Sequence, residues 1–432
     1  MTKFALDLIV VTYLFVGTLY AVETPDWQVP DEPAHYNYIR QLAHGHLPIL
    51  ESGDYDQDYL GRLTNERFPS ELPIASVEYE DWQPPLYYLL ATPIYLVFDG
   101  ALTPLRLFSV FLGAGVVLLA YAVAAAVFPD RPLIALGTAA FVAFLPQHVA
   151  MMAGVNNDSL TELLIGLALL MALRWVGSDE GPSQRGKSKD RCLVALGVVV
   201  GLGLVTKASF APVALVVGAA VWRGGERDQR ELVRRLALVF VPALLIAAPW
   251  WLRNVVTYGG LDLYGTINHD AVVVGQPRTG WWIDTYGLRA WLERWVTFTF
   301  QSFWGQFGWM GVLMPTWLYR ALALWSGALV AGFLLWRRSA ARNLLLGVLG
   351  LTVLLVLLMY GYYNVTFVQH QGRYLFPALI PIALGVALAT DALLHLLRLP
   401  ERLRPLTFPA PYLAMAALDL YALWRWLVPA LT

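Results

Sequence analysis

Long apolar runs constrain this chain more than any other feature. Runs of about 20 apolar residues recur along its 432 residues, and loops rich in arginine separate several of them. A helix of that length crosses a bilayer with every backbone polar group bonded internally. The chain is 58% hydrophobic and 14% charged, whereas soluble domains carry about 25% charged residues. The sequence therefore predicts an all-α polytopic membrane protein that lies in the lipid bilayer of the cell membrane.

The lysine and arginine residues predict which loops share a side of the membrane. Four basic loops, at 174–191, 223–235, 337–342 and 398–404, are predicted to be cytoplasmic. The first run, 4–22, is interpreted as an uncleaved anchor, because no convincing small-residue cleavage site follows it. The other predicted spans are 104–127, 132–149, 159–176, 192–206, 208–222, 236–251, 314–336, 344–363, 374–397 and 408–428.

Residues 86–98 form an apolar run that is too short to cross a bilayer, and Pro93 interrupts it. If this run does not cross, the spans that follow bring 174–191 to the cytoplasmic side. We therefore interpret 86–98 as a re-entrant or juxtamembrane helix. The prediction is a bundle of about eleven transmembrane helices with a cytoplasmic N-terminus and an external C-terminus.

The predicted organisation is a single integral-membrane domain over 1–432. Its parts are the first span at 1–22, a first external loop with juxtamembrane helices at 23–103, core spans at 104–251, a second external loop at 252–313 and C-terminal spans at 314–432.

Residues 30–46, PDEPAHYNYIRQLAHGH, follow the first span and place two adjacent carboxylates at the start of a short amphipathic helix. Asp31 is a good N-cap, and Pro33 is tolerated in a first helical turn. Two interpretations stay open at this point. Asp31 and Glu32 either only cap the helix and favour its dipole, or they carry chemistry, with His35 one turn further on.

Further polar groups are predicted to converge on the same external side, and each has a structural alternative. Asn156-Asn157-Asp158 can be an N-cap cluster, Lys207 can extend its amine to the interface, and Arg253 can belong to an aromatic belt. Gln371-Gly372-Arg373-Tyr374 places an arginine beside a glycine that permits close backbone approach, which suits a phosphate clamp. Two carboxylates and two or three cations around one cavity suit a reaction that transfers a group from an anionic lipid.

Other chemistries are excluded by motif and composition. The sequence has no GxxxxGK[ST] loop, no HExxH and no Gly-x-Ser-x-Gly. Its single cysteine, Cys192, excludes an internal disulfide, and the histidines show no metal-ligand spacing. A net charge of −1 gives no basic field for nucleic acid.

Several of these motifs together resemble the GT-C class of membrane glycosyltransferases, which use polyprenyl-phosphate-linked sugars. PDEPAHYNYI, QPPLYY at 83–88, NND at 156–158 and QGRYLFP at 371–377 are similar to a largely uncharacterised integral-membrane family grouped with that class. More distantly, they resemble the protein O-mannosyltransferases and the lipid A aminoarabinose transferases. The resemblance implies a GT-C-like bundle and covers most of the chain.

The resemblance implies that Asp31 is the catalytic base and that Glu32 supports it or helps to bind the acceptor. Where the aminoarabinose transferases have a lysine before Pro-Pro, this chain has Gln83, which makes Lys207 or Arg373 the expected phosphate partner. Asp158 matches an acidic motif that helps to hold a divalent cation, Mg or Mn, in metal-dependent relatives; no cofactor is expected to be required. The expected substrate-binding residues are His35, Tyr36, Gln83, Tyr87, Asn157, Asp158, Lys207, Arg253, His370, Arg373 and Tyr374.

The resulting hypothesis is an inverting hexosyl- or pentosyltransferase that works at the extracytoplasmic face. It moves a sugar from a polyprenyl-phosphate donor, such as an undecaprenyl phosphate, to a hydroxyl of a glycan, lipid or protein acceptor. The alternative hypotheses are a transporter or flippase for lipid-linked saccharides and an O-antigen-type polymerase or ligase. Polar residues gathered in one external cavity would favour the enzyme, and a polar path through the bundle would favour the transporter.

Overall fold

The computed structural model describes residues 2–177, 187–224, 228–336, 342–398, 400 and 402–432. Parts of all four predicted cytoplasmic loops, with Arg185, Arg227, Arg337 and Arg338 among them, lie outside the described residues.

The described chain is mostly helical. Its α-helices are α1 Thr2–Glu23, α2 Glu32–Ala43, α3 Gln57–Asn65, α4 Leu86–Val97, α5 Leu102–Val127, α6 Pro132–Ala143, α7 Pro146–Met152, α8 Asp158–Val176, α9 Lys187–Leu204, α10 Ala211–Arg223, α11 Gln229–Tyr258, α12 Thr266–Val272, α13 Thr279–Tyr286, α14 Leu288–Trp304, α15 Thr316–Leu335, α16 Asn343–Thr366, α17 Leu379–Leu396, α18 Arg404–Thr407, α19 Ala410–Ala422 and α20 Val428–Leu431. Short 3₁₀ helices lie at Ile74–Ser76, Ala208–Phe210 and Gly372–Ala378, and a π-helical turn lies at Leu423–Leu427. Strands β1 Gln306–Phe307 and β2 Val312–Leu313 pair antiparallel, with Gln306 opposite Leu313.

Eight helical segments of the described chain are long and apolar enough to cross a membrane, and a ninth is possible if a bent pair counts as one span. That pair is α6 and α7, which meet at an angle of 62°. The predicted span at 132–149 therefore falls on a bent helix pair, which is either a broken span or a re-entrant loop. Pro146 cannot donate a backbone hydrogen bond to the preceding turn, so the helix breaks before it. The count of about eleven spans stays a prediction, because α9 is not among these segments and α10 belongs to a shorter apolar helix.

The core of the bundle is built from α5, α6, α8 and α17. Helix α5 packs against α1, α6 and α8, and α17 packs between α6 and α15. Many of the contact positions are small residues, which let helix backbones approach closely where lipid gives little hydrophobic driving force. Fully buried alanines include Ala120, Ala124, Ala135, Ala139, Ala168 and Ala387.

One end of this bundle collects the polar residues that the sequence singles out. Asp158 and Lys207 stand at the starts of α8 and of the segment leading into α10, and Arg253 stands near the end of α11. The opposite ends of α8 and α10 carry Arg174 and Arg223. The bundle therefore has a basic end and an end where carboxylates and cations meet.

Helices α9 and α11 pack through glycine. A Cβ atom on Gly197 would collide with the backbone carbonyl of Val239, so the replacement Gly197→Ala forces the two helices apart. We expect a loss of about 1–3 kcal/mol of unfolding free energy and a lower midpoint in thermal unfolding of the detergent-solubilised protein. The matched control is Gly350→Ala in α16, where a Cβ meets no heavy atom within 4 Å. Equal midpoints for the two variants would contradict this packing.

Candidate active site

Asp31 precedes α2, but its side chain does not cap the helix. The residue has left-handed backbone angles, φ 68° and ψ −6°, and makes no side-chain cap hydrogen bond. Asp31 is at the predicted N-cap position, but the interpretation that its side chain caps the helix is wrong. Its carboxylate instead accepts a hydrogen bond from the Tyr79 hydroxyl at 2.8 Å and one from the Arg373 guanidinium at 2.6 Å. A strained backbone that aims a polar group into a cluster is typical of functional sites.

The charge state of Asp31 follows from its neighbours. Burial is the largest single influence and opposes ionisation. The positive charge of Arg373 and the hydrogen bonds that Arg373 and Tyr79 donate together outweigh it and hold the pKa of the Asp31 carboxyl below its ordinary value. The Asp31 side chain keeps 24% of its surface exposed. The site therefore presents an ionised and accessible carboxylate next to a guanidinium.

Glu32 has a different environment from its neighbour. Its side chain is 0% exposed, and both oxygens accept hydrogen bonds from Arg106, at 2.8 and 2.6 Å. One oxygen also accepts the backbone N–H of Val155 at 3.1 Å. Arg106 in turn donates to the carbonyls of Ala21, Thr24 and Pro25. Glu32 thus ties α2 to α5 and to the end of α1, which is a positioning role.

The segment 79–83 forms one wall of the site because its side chains are anchored in turn. Tyr79 reaches Asp31, Asp81 accepts from Gln41 at 2.7 Å, and Gln83 donates to Glu80 at 2.8 Å. Pro84 and Pro85 follow and fix the extended approach to α4.

Glu80 is the second carboxylate near Asp31. Burial and the negative charge of Asp31 raise the pKa of Glu80 to about 7. Two neighbouring carboxylates whose pKa values are pushed in opposite directions are a common feature of acid–base sites.

The opposite wall comes from the starts of α8 and α10. Asn157 donates to the Gln83 side chain and to the Thr206 carbonyl, both at 3.2 Å. Asp158 pairs with Lys207 at 2.7 Å. The structure thus brings together Asn157, Asp158, Lys207 and Gln83 as the sequence predicts, with Gln83 as a buried link between the two walls.

His35 lies beneath this group and is buried. Its Nδ1 is 2.8 Å from the Tyr88 hydroxyl. Burial, together with the positive charge of Lys207, lowers the pKa of His35 to about 3, so the imidazole is neutral at physiological pH.

The segment 370–374 delivers Arg373 from the far end of the sequence. Gly372 lies against α14, where its N–H donates to the Ser302 hydroxyl at 2.8 Å and a Cβ would collide with the Phe303 backbone. The glycine therefore permits the close backbone approach that places Arg373 over the ring of Tyr374 and against Asp31.

Three predicted substrate-binding residues have their polar groups engaged within the protein. Tyr36 donates to the Gly100 carbonyl, and Tyr87 is buried with its hydroxyl 2.8 Å from Ser109. Arg253 binds the Pro48 carbonyl and stacks on Trp250. These contacts favour a role in holding the first external loop to α4, α5 and α11.

The residues present do not fit a divalent-cation site. In the described ranges, no group of three histidine, cysteine or acidic side chains is placed to hold a metal ion. The one candidate from the resemblance, Asp158, is paired with Lys207. No step of the chemistry is therefore assigned to a metal.

Tyr79, Glu80 and Arg106 belong to the site or support it, although the sequence patterns did not predict them as site residues. The first two lie directly upstream of Gln83-Pro84-Pro85, so their proximity to a suspected site was a usable signal. Arg106 was visible as a charge near the start of an apolar helix, where charges are rare and paired.

The raised pKa of Glu80 predicts a pH-dependent stability. A carboxyl with a raised folded-state pKa binds its proton more tightly when folded, so this stabilisation is present at low pH and is lost as pH rises towards 7. We expect Glu80→Gln to be more stable than the wild type at pH 8, by on the order of 2 kcal/mol, and to differ little at pH 4. Thermal unfolding measured between pH 4 and pH 8 checks this expectation. The control is Glu71→Gln, which replaces an exposed carboxylate. A constant difference at all pH values would contradict the shift.

Comparisons with known proteins agree with this architecture. The family model described as "Predicted membrane protein (DUF2142)" matches residues 75–382. No curated protein matches the sequence. The oligosaccharyltransferase of Archaeoglobus fulgidus in its apo form has a TM-score of 0.56 and 14% identity, over 99% of this chain and 56% of that chain. The oligosaccharyltransferase AglB from Archaeoglobus fulgidus, in complex with an inhibitory peptide and a dolichol-phosphate, has a TM-score of 0.54 and 15% identity, over 99% of this chain and 55% of that chain.

ArnT from Cupriavidus metallidurans bound to undecaprenyl phosphate has a TM-score of 0.53 and 15% identity, over 98% of this chain and 73% of that chain. The present chain spans about half the length of the oligosaccharyltransferase. These likenesses show a GT-C fold. Because the family model covers more than two thirds of the sequence, the chain belongs to the DUF2142 family of predicted membrane proteins.

Proposed function

We propose that this protein is a membrane glycosyltransferase that moves a sugar from a polyprenyl-phosphate donor to an acceptor hydroxyl, with inversion at the anomeric carbon. The observation that carries the proposal is the environment of Asp31. Its carboxylate is ionised and accessible, and Tyr79 and Arg373 hold it at the polar end of a GT-C bundle.

Two solved structures that share the fold support the proposed donor class. One was obtained with undecaprenyl phosphate and another with a dolichol-phosphate, and both ligands are polyprenyl phosphates. A bundle with exposed apolar helix faces and a polar site at one end suits a substrate that has a lipid tail and a polar head.

Each group in the site has a role in the proposed reaction. Asp31 accepts the proton of the acceptor hydroxyl as its oxygen bonds to the anomeric carbon. The bond between that carbon and the phosphate oxygen breaks on the opposite face of the sugar, and the polyprenyl phosphate leaves with the electron pair. Arg373 or Lys207 stabilises the negative charge that develops on this phosphate. Because Glu80 tends to keep its proton near neutral pH, it leaves Asp31 as the charged carboxylate.

We place the reaction at the extracytoplasmic face of the cell membrane. The site residues lie at the ends of α8, α10 and α11 that are opposite to Arg174, Arg223 and Arg234. Cytoplasmic loops carry an excess of lysine and arginine, so the polar end faces outward.

A transporter of lipid-linked saccharides is the second candidate. One observation favours it: the buried pair His148–Glu162, at 3.0 Å, lies beside the break between α6 and α7. The pair is joined to the Val142 carbonyl at that break, so it also serves to hold the bent helices together. The concentration of charged groups around Asp31 favours the enzyme.

The direct test removes the charge of Asp31. We expect Asp31→Asn to lower the transfer rate about 10² to 10⁴-fold while the thermal midpoint and lipid binding stay close to the wild type. Transfer from a panel of polyprenyl-phosphate sugars to an acceptor mixture, with purified protein in vesicles, measures the rate. EDTA is expected to leave this rate unchanged.

The matched control is Asp58→Asn, which removes an exposed carboxylate from the same loop. It should keep wild-type transfer. If Asp31→Asn also transfers at the wild-type rate, Asp31 is not the base. If the wild type moves intact lipid-linked saccharides across the vesicle membrane and transfers no sugar, the transporter hypothesis is correct.

A separate prediction concerns Glu32. Glu32→Gln leaves Arg106 buried without its counter-charge, and breaking such a pair costs about 3–5 kcal/mol. We expect a lower yield and thermal midpoint, with the rate per folded molecule retained. Glu66→Gln, which breaks the exposed pair with Arg62, should cost less than about 1 kcal/mol. A stable Glu32→Gln protein without transfer would instead support the catalytic role that the resemblance implies.

A further inference from the structure

Two connecting segments of the chain lie side by side near the candidate active site. One leads from α12 into α13, and the other follows α16. Arg278 of the first and Phe367 of the second form an antiparallel bridge. Two residues from this bridge in each segment, the register places Gln276 opposite Gln369, and such cross-strand pairs lie on one face. The Gln369 amide accordingly donates to the amide oxygen of Gln276 at 3.2 Å.

This amide pair belongs to a longer row of uncharged polar side chains. Gln371 donates to the Gln369 amide oxygen at 2.9 Å. On the other side, the Gln276 amide adjoins the Tyr55 hydroxyl, which donates to Gln57 at 2.5 Å. We call these five side chains the neutral polar row. Each of them carries at least one hydrogen-bond donor and one acceptor, and none carries a formal charge.

The neutral polar row meets the candidate active site at two places. The ring of Tyr55 packs edge-on against Tyr79, with ring centres 5.5 Å apart, and Tyr79 holds Asp31. Burial raises the pKa of the Tyr55 hydroxyl, and the negative charge of Asp31 adds to this effect, so the two groups are close enough to interact. Gln371 precedes Arg373, the second partner of Asp31, by two residues, a backbone distance of at most about 7 Å. The row therefore borders the carboxylate.

The row keeps hydrogen-bonding groups that a ligand can reach. Among the described residues, the Gln369 amide engages one N–H and one lone pair of its oxygen. An amide has two of each, so one N–H and one lone pair remain. Tyr55, Gln276 and Gln369 are all partly exposed. The amide oxygen of Gln371 is buried, so this residue supports Gln369 and is not assigned a ligand contact.

The chemistry of the row matches a saccharide. Each hydroxyl of a sugar both donates and accepts a hydrogen bond, as a primary amide and a phenol also do. A phosphate would be bound better by guanidinium groups, and an aliphatic chain would leave the amides without partners. A site that is built to bond hydroxyl groups discriminates strongly against ligands that lack them. The row therefore favours a ligand with several neutral hydroxyl groups.

The position of the row assigns it to the acceptor side of the proposed reaction. The row adjoins Asp31, whereas Asp158 and Lys207 belong to the opposite wall of the site. In an inverting transfer, the acceptor hydroxyl approaches the base, and the phosphate leaves from the other face of the donor sugar. A saccharide that contacts the row can therefore present a hydroxyl to Asp31.

We propose that Tyr55, Gln276 and Gln369 bind the hydroxyl groups of a neutral saccharide, and that this saccharide is the acceptor. The acceptor is then a glycan, and a polypeptide and a simple lipid are the alternatives that the test separates. The assignment of the saccharide as acceptor rests on the proposed function. The binding of a saccharide by the row does not depend on it.

The test measures saccharide binding directly. The full-length protein in detergent, labelled with a fluorophore at its exposed Cys192, is titrated over a printed array of neutral oligosaccharides of hexoses and pentoses. We expect the wild type to bind a subset of these oligosaccharides. Gln369→Met and Gln276→Met keep the length of the side chain and remove its amide, so each should raise the half-saturating concentration at least about fivefold. The matched control, Gln229→Met at the exposed start of α11, should change it less than about twofold.

Thermal unfolding shows which variants are folded, and Tyr55→Phe, which removes only a hydroxyl, decides the question if the glutamine variants unfold. The row is rejected as a saccharide site if the wild type binds no oligosaccharide, or if the folded variants bind like the wild type.

The transfer assay separates the acceptor from the donor. The folded variants should raise the KM for a saccharide acceptor and change the KM for the polyprenyl-phosphate sugar less than about twofold. The reverse pattern would assign the row to the donor sugar and overturn the proposal, as would transfer to peptide or lipid acceptors alone. Oligosaccharide binding that is lost in the variants of a protein that transfers no sugar would support the row and reject the proposed function.

Discussion

The buried pair between Glu32 and Arg106 is the interaction on which the acidic end of the bundle depends. Both side chains are removed from water, where an isolated charge is far more costly than a paired one. Arg106 also binds three carbonyls at the end of α1, so one guanidinium satisfies backbone groups that a helix end leaves open. The path of the chain from α1 into α2 is thereby fixed, and Asp31 is the residue immediately before this pair. Its left-handed conformation is held because both neighbouring elements are anchored.

Arg373 gives the site its second constraint, since it joins residues 342 positions apart in the sequence. The partners reach each other because Gly372 lets the 3₁₀ segment lie directly on α14. An ion pair between the proposed base and a cation lowers the basicity of the carboxylate, yet it also keeps the carboxylate charged and oriented. A developing phosphate charge would draw Arg373 away and would thus raise the basicity of Asp31 as the reaction proceeds.

The sequence was sufficient for the class of fold and for part of the set of residues that meet at the site: Asp31, Asp158, Lys207 and Arg373 were predicted, whereas Tyr79 and Glu80 were not. Membrane spans and cytoplasmic loops can be recognised in the sequence, because each depends only on the composition of one local segment. The sequence could not predict that Asp31 and Glu32, although adjacent, have opposite environments, because that depends on where Arg106 and Arg373 arrive from distant helices. The break before Pro146 was visible as a proline inside an apolar run. Its 62° angle depends on packing against the surrounding helices.

Arg106 and Arg373 differ in what holds their charge, and this difference assigns their roles. Arg106 is bound on all sides and cannot leave Glu32 without exposing two charges to a dry core. Arg373 has one carboxylate partner and remains partly exposed, so it can exchange that partner for a phosphate. Arg106 is thus a permanent partner of Glu32, whereas Arg373 is an exchangeable partner of Asp31.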